Sequence, residues 1–315
     1  MRLFHQTNID FMGKRRVWYF ISLATLSVGL LAVFIKGVTL GIDFLGGTEL
    51  VLEFQQPVGV GDVRSALEKI GFGQGEIKTF GSDRDILIRT PEQATGMTIA
   101  DTIRSTLKNA FPDNAFEVLK EDKIGPRIGH ELRQDAVYAI IASLFVIMIY
   151  IGFRFKFIYG FMGVVALFHD VLITFGMCSL FNGLSSYLNL EMTQSMVAAF
   201  LTIIGFSIND TVIVFDRIRE NLKIYRSDDL TTIMNRSINQ TLSRTIITNG
   251  TVFMVLLVLF FFGGEVNRGF AFAFLIGTII GTYSSIYVAS ALVLDWTIRK
   301  ARKPSLSVQD THLTP

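Results

Sequence analysis

The chain has 315 residues, half of them hydrophobic and 18% charged, and its mean hydropathy is +0.46. This composition excludes an ordinary soluble globular protein, and a net charge of +2 gives no support for a nucleic-acid partner. The single cysteine, Cys178, cannot form a disulfide within the chain. The length allows two domains. We therefore expect a membrane protein with a smaller polar domain.

Six apolar stretches are long enough to cross a hydrocarbon core about 30 Å thick as helices. The first lacks an obvious small-residue cleavage site, and we interpret it as a retained signal-anchor helix. The other five form a predicted membrane region over residues 136–296. The six predicted spans are residues 17–35, 136–153, 158–181, 195–215, 245–263 and 270–296.

Lysine and arginine residues concentrate at alternate ends of these spans, which predicts their orientation. Basic residues precede the first span, follow the sixth, and lie between the second and third and between the fourth and fifth. The loop at 182–194 contains no basic residue, and the loop at 264–268 contains one. We therefore predict a cytoplasmic N-terminus (1–16) and a cytoplasmic, disordered tail (297–315).

Residues 36–135, between the first two spans, are polar enough to form a periplasmic domain. Hydrophobic periodicity predicts four strands and two helices in the order βαββαβ, which is typical of a small α+β domain of ferredoxin-like fold. The domain contains no cysteine and one histidine, His130, so we expect a binding or scaffolding module, not an enzyme. The predicted strands are 48–54, 76–80, 85–90 and 115–121, and the predicted helices are 60–71 and 98–111.

Asn209 and Asp210 lie inside the fourth span, with Asp210 roughly 9 Å from its cytoplasmic end at 1.5 Å per residue. An isolated buried carboxylate costs several kcal/mol, so we expect Asp210 to be protonated, paired or facing water. The expected partner is Arg244 at the start of the fifth span, with Thr248 on the same polar face. The alternative is a purely structural Asp–Arg pair between two helices.

His169 and Asp170 fall near the middle of the third span. Adjacent helical positions point about 100° apart, so we expect the two side chains to face different partners. Asp170 is a second candidate for proton transfer, and His169 is expected to pack or to form hydrogen bonds. No metal-ligand spacing accompanies His169, and we predict no metal or cofactor. Gly277 and Gly281, four positions apart in the sixth span, predict close helix packing.

Three motifs resemble the SecD/SecF family of bacterial protein-export subunits, which is related to the resistance-nodulation-division superfamily of proton-driven transporters. They are GIDFLGGTEL (41–50), TIIGFSINDTVIVFDRIREN (202–221) and NQTLSRTIITN (239–249). The resemblance covers nearly the whole chain, including its six spans and one large domain after the first. It implies a multi-pass protein of the bacterial inner membrane that uses the proton-motive force to complete preprotein export. It implies no enzymatic activity.

The resemblance also assigns residues and partners. Asp210 and Arg244 match the residues that carry proton transport in the family, and the glycine-rich block links membrane and periplasmic movements. We interpret that block physically as a compact turn after the first span. Its residues are Gly41, Asp43, Gly46 and Gly47.

The implied partners are a SecD subunit, the SecYEG channel, unfolded preproteins and membrane lipid, with YajC and YidC as further candidates. SecD would supply the second six-span half that related transporters need for alternating access. Two alternatives stay open at this point. One is a small-molecule efflux component of the same superfamily, although this sequence has neither the larger periplasmic domains nor the duplicated membrane half. The other is a translocon scaffold that transports nothing.

Overall fold

The computed structural model describes residues 7–73, 75–90, 99–185 and 188–302. A π-helical turn, Ser285–Ser290, lies between the last two of its helices. In chain order, the helices and strands are α1 (Arg15–Lys36), α2 (Ile42–Leu45), β1 (Gly47–Phe54), α3 (Val60–Glu68), β2 (Glu76–Phe80), β3 (Ser82–Thr90), α4 (Ile99–Ala110), β4 (Phe116–Ile124), α5 (Pro126–Arg154), α6 (Phe157–Phe181), α7 (Gln194–Ile224), α8 (Leu230–Phe262), α9 (Gly264–Ser284) and α10 (Ala291–Arg302).

Within these ranges, six helical segments are long and apolar enough to cross a membrane, which confirms the predicted number of spans. They are α1, α5, α6, α7, α8 and the continuous segment Asn267–Ala301, which contains most of α9, the π turn and most of α10. Each predicted span falls inside one of these segments to within one residue. Helix α7 continues past the predicted end of the fourth span to Ile224, and α8 begins before the predicted start of the fifth span, at Leu230. The short connection at 225–229 joins them.

The start of α7 and the start of α8 are fixed by side-chain caps. Thr193 Oγ1 accepts a hydrogen bond from the backbone N–H of Met196 at 3.3 Å, and Asp229 Oδ2 accepts one from the N–H of Thr232 at 3.1 Å. Such caps satisfy backbone donors that have no partner within the helix. Helix α5 begins with Pro126, whose missing N–H costs nothing at the first helical position.

The strands form a four-stranded antiparallel sheet in the described part of the chain, in the order β2-β3-β1-β4. Alternate residues of a strand point to opposite faces, so Leu50, Leu52 and Phe54 of β1 pack with apolar residues of α3 and α4. The intervening residues, which include Glu49 and Val51, point to the opposite face of the sheet. We call β1 to β4 with α3 and α4 the sheet domain.

Several predicted boundaries differ from the structure. Helix α5 already starts at Pro126, so the segment predicted to connect the sheet domain to the second span is itself helical. Helix α10 runs to Arg302, into the segment predicted as a disordered tail. The predicted helix at 98–111 begins at Thr98, which lies outside the described residues, as do residues 1–6 and 303–315.

Helix α9 lies in the centre of the membrane region, in contact with α6, α7 and α8. Two glycines allow its close approach to α7: a Cβ atom added at Gly277 would collide with Ile203, and one at Gly281 would lie 3.0 Å from the Ser207 side chain. Small residues at this spacing let helix backbones pack closely. With this packing, polar side chains of α7 and α9 share hydrogen-bond partners on α6 and α8.

Candidate proton-transfer site

Asp210 is buried between three helices, with 2% of its surface exposed. Its Oδ2 atom accepts a hydrogen bond from Asn249 Nδ2 of α8 at 2.5 Å. The same Asn249 nitrogen donates to Thr282 Oγ1 of α9 at 2.6 Å, and the Thr282 hydroxyl donates to the backbone oxygen of Thr278 at 2.6 Å. Asn249 therefore connects the carboxyl group on α7 with a hydroxyl group on α9.

The predicted pair between Asp210 and Arg244 is not a direct contact. Arg244 is exposed and forms no salt bridge within 4.0 Å among the residues that the structure describes. Five positions separate it from Asn249, or about 140° around the helix, so it points away from the buried contact. Its charge still acts on Asp210 over a longer distance.

The two predicted supporting residues beside this pair do not bind Asp210 either. Asn209 is exposed. Thr248 is half-buried, and its backbone oxygen accepts a hydrogen bond from Thr251 Oγ1 at 2.8 Å. The residue that does bind the carboxyl group, Asn249, was not predicted, because the expected partner of a buried carboxylate was a charged one.

Asp170 is a second buried carboxyl group, with no exposed surface. Its Oδ2 atom accepts hydrogen bonds from Ser207 Oγ of α7 and Ser284 Oγ of α9, both at 2.7 Å. Its Oδ1 atom lies 2.9 Å from His169 Nδ1. The other ring nitrogen of His169 lies 3.4 Å from the Tyr283 hydroxyl. His169 and Asp170 therefore have different partners on α9, as predicted, although their side chains also contact each other.

Both carboxyl groups are connected to α7 and α9. Asp170 accepts hydrogen bonds from both helices, whereas Asp210 belongs to α7 and is linked to α9 through Asn249 of α8. Ser207 precedes Asp210 by one turn of α7, and Ser284 follows Thr282 by two residues on α9. The π turn starts directly after Ser284, and π turns inside α-helices frequently occur at functional sites. No lysine or arginine in the described ranges forms a salt bridge with either carboxyl group.

Carboxyl and imidazole groups can gain and lose protons, and the hydroxyl groups beside them can donate and accept hydrogen bonds. This arrangement has the groups that proton transfer needs. A metal site has no comparable support: the described residues contain no group of three or more histidine, cysteine, aspartate or glutamate side chains that could hold an ion. The chemistry that fits the buried site best is proton transfer.

The glycine-rich block forms the junction between the membrane region and the sheet domain. The Gly41 N–H donates to the backbone oxygen of Met192 at 2.8 Å, and Asp43 Oδ2 accepts a hydrogen bond from the N–H of Gln194 at 2.7 Å. Asp43 thus binds the first residue of α7, where a negative charge is favourable. The predicted compact turn is in fact the one-turn helix α2, with a glycine on each side.

Gly46 and Gly47 lead from α2 into β1 with φ angles of 76° and 127°, which favour glycine. A Cβ atom at Gly46 would lie 2.8 Å from Pro126 Cα at the start of α5. The block therefore contacts the beginnings of β1, α5 and α7 at one place.

A buried ion-pair cluster, which was not predicted from the sequence, joins the sheet domain to the loop before α7. Arg89 of β3 is 7% exposed, and its Nη2 atom lies 2.7 Å from both Glu49 Oε2 and Glu191 Oε2. Lys78 of β2 binds the other carboxylate oxygen of Glu191. Lys120 Nζ of β4 lies 2.9 Å from Glu49 Oε1. Glu191 is the only charged residue between positions 182 and 194, which is the one signal that the sequence offers.

These contacts keep Glu49 and Lys120 charged. Burial alone would raise the pKa of Glu49, but the hydrogen bonds and charges of Arg89 and Lys120 outweigh it and hold that pKa below its ordinary value. Burial would lower the pKa of Lys120, but Asp122 and Glu49 raise it. Glu49 and Lys120 are therefore both charged at neutral pH.

Comparison with known proteins assigns the chain to a family. Residues 102–299 match the sequence profile described as "Protein export membrane protein SecD/SecF, C-terminal", and residues 31–58 match the "SecD/SecF GG Motif". The chain belongs to the SecD/SecF family. The first match includes both buried carboxyl groups, and the second includes the glycine-rich block.

A curated relative and a solved structure support the SecD/SecF assignment. The protein translocase subunit SecF of Rhodothermus marinus is 43% identical over 307 residues, which cover 98% of this chain and 99% of the relative. The crystal structure of SecDF from Thermus thermophilus, a translocon-associated membrane protein, gives a TM-score of 0.81 at 40% identity. The match covers 93% of this chain but only 39% of the SecDF chain.

A second SecDF structure, in a super-membrane-facing form, gives a TM-score of 0.66 at the same 40% identity. The fold of this SecD/SecF family member is therefore closer to the first SecDF structure than to the super-membrane-facing form. Together with its six apolar helices, the family makes the chain a multi-pass protein of the bacterial inner membrane. The family is one of protein-export subunits and not of enzymes.

Proposed function

We propose that this chain is an accessory subunit of the Sec protein translocase that couples the proton-motive force to the completion of preprotein export. The observation that carries the proposal is the pair of buried carboxyl groups, Asp170 and Asp210, held by hydroxyl, amide and imidazole groups with no lysine or arginine salt bridge in the described chain. Ionisable groups inside membrane spans are costly and usually mark ion paths.

The energy available from proton transfer fits this role. Each proton that crosses a potential of 100 mV releases about 2.3 kcal/mol. Loss or gain of a proton at a buried carboxyl group changes which hydrogen bonds it can make, and Asp170 and Asp210 bond directly to α7, α8 and α9. A change of protonation can therefore favour one packing of these helices over another.

The proposed output of this change is movement of the sheet domain. Helix α7 carries Asp210, and its first residue is bound by Asp43 of the glycine-rich block. The loop before α7 also carries Glu191, which is bound to Arg89 and Lys78 of the sheet domain. A shift of α7 would act on the sheet domain through both contacts.

We further propose that the sheet domain is periplasmic and ferredoxin-like, and that both chain termini are cytoplasmic. The βαββαβ order and the strand order β2-β3-β1-β4 support the fold. The basic residues at the proposed cytoplasmic ends of the spans support the orientation.

Exposed polar residues of the membrane region indicate where a partner subunit would bind. Asn209 and Arg244 are exposed on neighbouring spans, where lipid cannot satisfy them. We propose that the membrane half of a SecD subunit covers them, and that Arg244 joins the proton path there. The SecYEG channel, YajC and YidC are the proposed further partners, and unfolded preproteins are the proposed substrate.

The test is gradient-driven export in inner-membrane vesicles with Asp210→Asn. We expect the variant to export with a proton gradient only as fast as the unmodified protein does without one, because the side chain can no longer exchange a proton. Asp216→Asn is the matched control, since Asp216 lies on the same helix at its exposed end and pairs with Arg154 at 3.5 Å. The control is expected to export normally.

Other outcomes would favour the alternative functions. If Asp210→Asn prevents assembly with the SecD subunit, the carboxyl group has a structural role and the chain is a scaffold. If cells that carry the variant become sensitive to small toxic molecules while secretion stays normal, the chain belongs to an efflux system. Normal gradient-driven export by an assembled Asp210→Asn complex would contradict the proposed function directly.

A further inference from the structure

The side-chain amide of Asn249 is only half satisfied. Its Nδ2 atom donates to both Asp210 and Thr282, but its buried Oδ1 atom has no hydrogen-bond partner among the described residues. A carboxamide carries a donor group at one end and an acceptor at the other. The present orientation, with the donor end towards Asp210, suits an ionised carboxylate, which only accepts hydrogen bonds.

A protonated Asp210 would need the opposite orientation. Its hydroxyl group must donate, and a half-turn of the Asn249 amide would bring the unused Oδ1 atom into the place of Nδ2 as the acceptor. No described partner holds the Oδ1 end in its present orientation, so the half-turn breaks no hydrogen bond at that end of the amide. The best orientation of the amide therefore depends on whether Asp210 carries a proton.

We propose that Asn249 is a protonation-dependent switch that transmits the charge state of Asp210 to helix α9. It is a positioning residue, and this inference rests on the proposed function, in which Asp210 gains and loses a proton. In the present orientation the Thr282 hydroxyl accepts from Asn249 and donates to the Thr278 backbone oxygen. After the half-turn, Thr282 faces an oxygen atom and must donate to it, so the bond to Thr278 is lost.

The effect would reach the second carboxyl group. Thr282 lies between Gly281, which packs against Ser207, and Ser284, which donates to Asp170. The same segment of α9 leads directly into the π turn. A change in the bonding of the Thr282 hydroxyl therefore occurs in the segment of α9 that binds Asp170 directly and is linked to Asp210 through Asn249.

The charged and titratable groups around the switch are few. Arg244 of α8 acts on Asp210 through its longer-range charge. On α6, Asp170 and His169 lie on the far side of Ser207 and Ser284, and α9 contributes Tyr283, which faces His169.

The experiment is infrared difference spectroscopy of the complex with its SecD subunit in liposomes, with asparagine side chains labelled with nitrogen-15. Spectra at low and high pH are subtracted. The carboxyl C=O band reports protonation of Asp210 and is assigned by its loss in Asp210→Asn. We expect a labelled amide band to change together with that carboxyl band, and to vanish in both Asp210→Asn and Asn249→Leu.

Export measurements complete the test. Asn249→Leu should keep the Asp210 carboxyl band but lower gradient-driven export on the order of tenfold, as expected for loss of a hydrogen bond to a charged group. Thr282→Val should keep both bands and lower export similarly, and Thr282→Ser should restore it. Asn221→Leu is the control, because Asn221 is a buried asparagine of α7 bonded to Ser237 at 2.8 Å, away from Asp210.

The outcomes separate the switch from the proposed function. A carboxyl band that titrates while the Asn249 amide stays unchanged overturns the switch alone, and so does normal export by Thr282→Val. The Thr282 variants keep the test valid if Asn249→Leu does not fold. Absence of any Asp210 carboxyl band at all accessible pH values overturns both the switch and the proposed function.

Discussion

Gly46 combines a backbone angle that favours glycine with a close contact to a neighbouring helix. Gly46 and Gly37 have nearly the same φ angle, 76° and 74°, but a Cβ atom at Gly46 would lie 2.8 Å from Pro126 Cα, whereas one at Gly37 would meet nothing within 4 Å. Alanine at such an angle costs about 1–2 kcal/mol, and overpacking adds about 1–3 kcal/mol. We therefore expect Gly46→Ala to lower the free energy of unfolding by about 2–5 kcal/mol, and Gly37→Ala by about 1–2 kcal/mol.

Denaturant unfolding of the purified chain in detergent measures both values. Gly37→Ala is the control for the backbone angle alone, since its surroundings are open. Equal losses in the two variants would mean that the contact between Gly46 and α5 is not tight.

At the scale of single residues, charge in an apolar stretch was an effective signal, whereas uncharged polarity was not. Asp170 and Asp210 could be predicted because a carboxyl group inside a span needs an explanation. Asn249 could not, since an amide in the fifth span carries no charge and its partners come from helices distant in sequence. The predicted partner Arg244 has the right charge, but it lies on the wrong side of its helix.

At the scale of elements, hydropathy predicted the spans well because their length is set by membrane thickness. It could not locate the start of α5 or the π turn, since both depend on local backbone hydrogen bonds. The ion-pair cluster could not be predicted either, because Arg89 lies 40 positions from Glu49 and 102 positions from Glu191 in the sequence. These charges come together only in the folded chain.

The ion-pair cluster predicts that acid weakens the contacts between the strands of the sheet domain. The pKa of Glu49 is held below its ordinary value of 4.5, so its contribution to stability is fully present above about pH 4.5 and is lost as the pH falls through the lowered value. Once Glu49 is neutral, Arg89 and Lys120 lose a charged partner. We expect amide hydrogen exchange in β1 and β3, corrected for its intrinsic pH dependence, to be steady near neutral pH and to accelerate below pH 4.5.

Two substitutions test whether the cluster is responsible. Glu191→Gln removes one charged partner of Arg89 and should lower the free energy of local opening by about 1.5–3 kcal/mol, so that exchange is already faster at neutral pH. Glu131→Gln is the control, because Glu131 forms an exposed pair with Arg127 on α5. Exposed pairs contribute about 0–1 kcal/mol. Acid-independent exchange, or equal effects of the two substitutions, would show that the cluster does not stabilise β1 and β3.

At the scale of the whole molecule, the membrane region has one face that is too polar for lipid. Gly205 and Asn209 are exposed one turn apart on α7, and Arg244 and Thr251 are exposed two turns apart on α8. Lipid offers no hydrogen bonds to such groups. The chain covers only 39% of the SecDF chain.

Gly205→Leu tests this partner face without removing a charge. A Cβ atom at Gly205 would meet nothing within 4 Å, so we expect the chain alone to fold with unchanged stability, whereas the added side chain should block close packing of a SecD subunit and abolish co-purification. Gly277→Leu is the converse control, because its side chain would collide with Ile203 inside the chain and destabilise the fold itself. Full assembly of the Gly205→Leu variant would place the partner on a different surface, and Arg244 would then need another explanation for its position in the span.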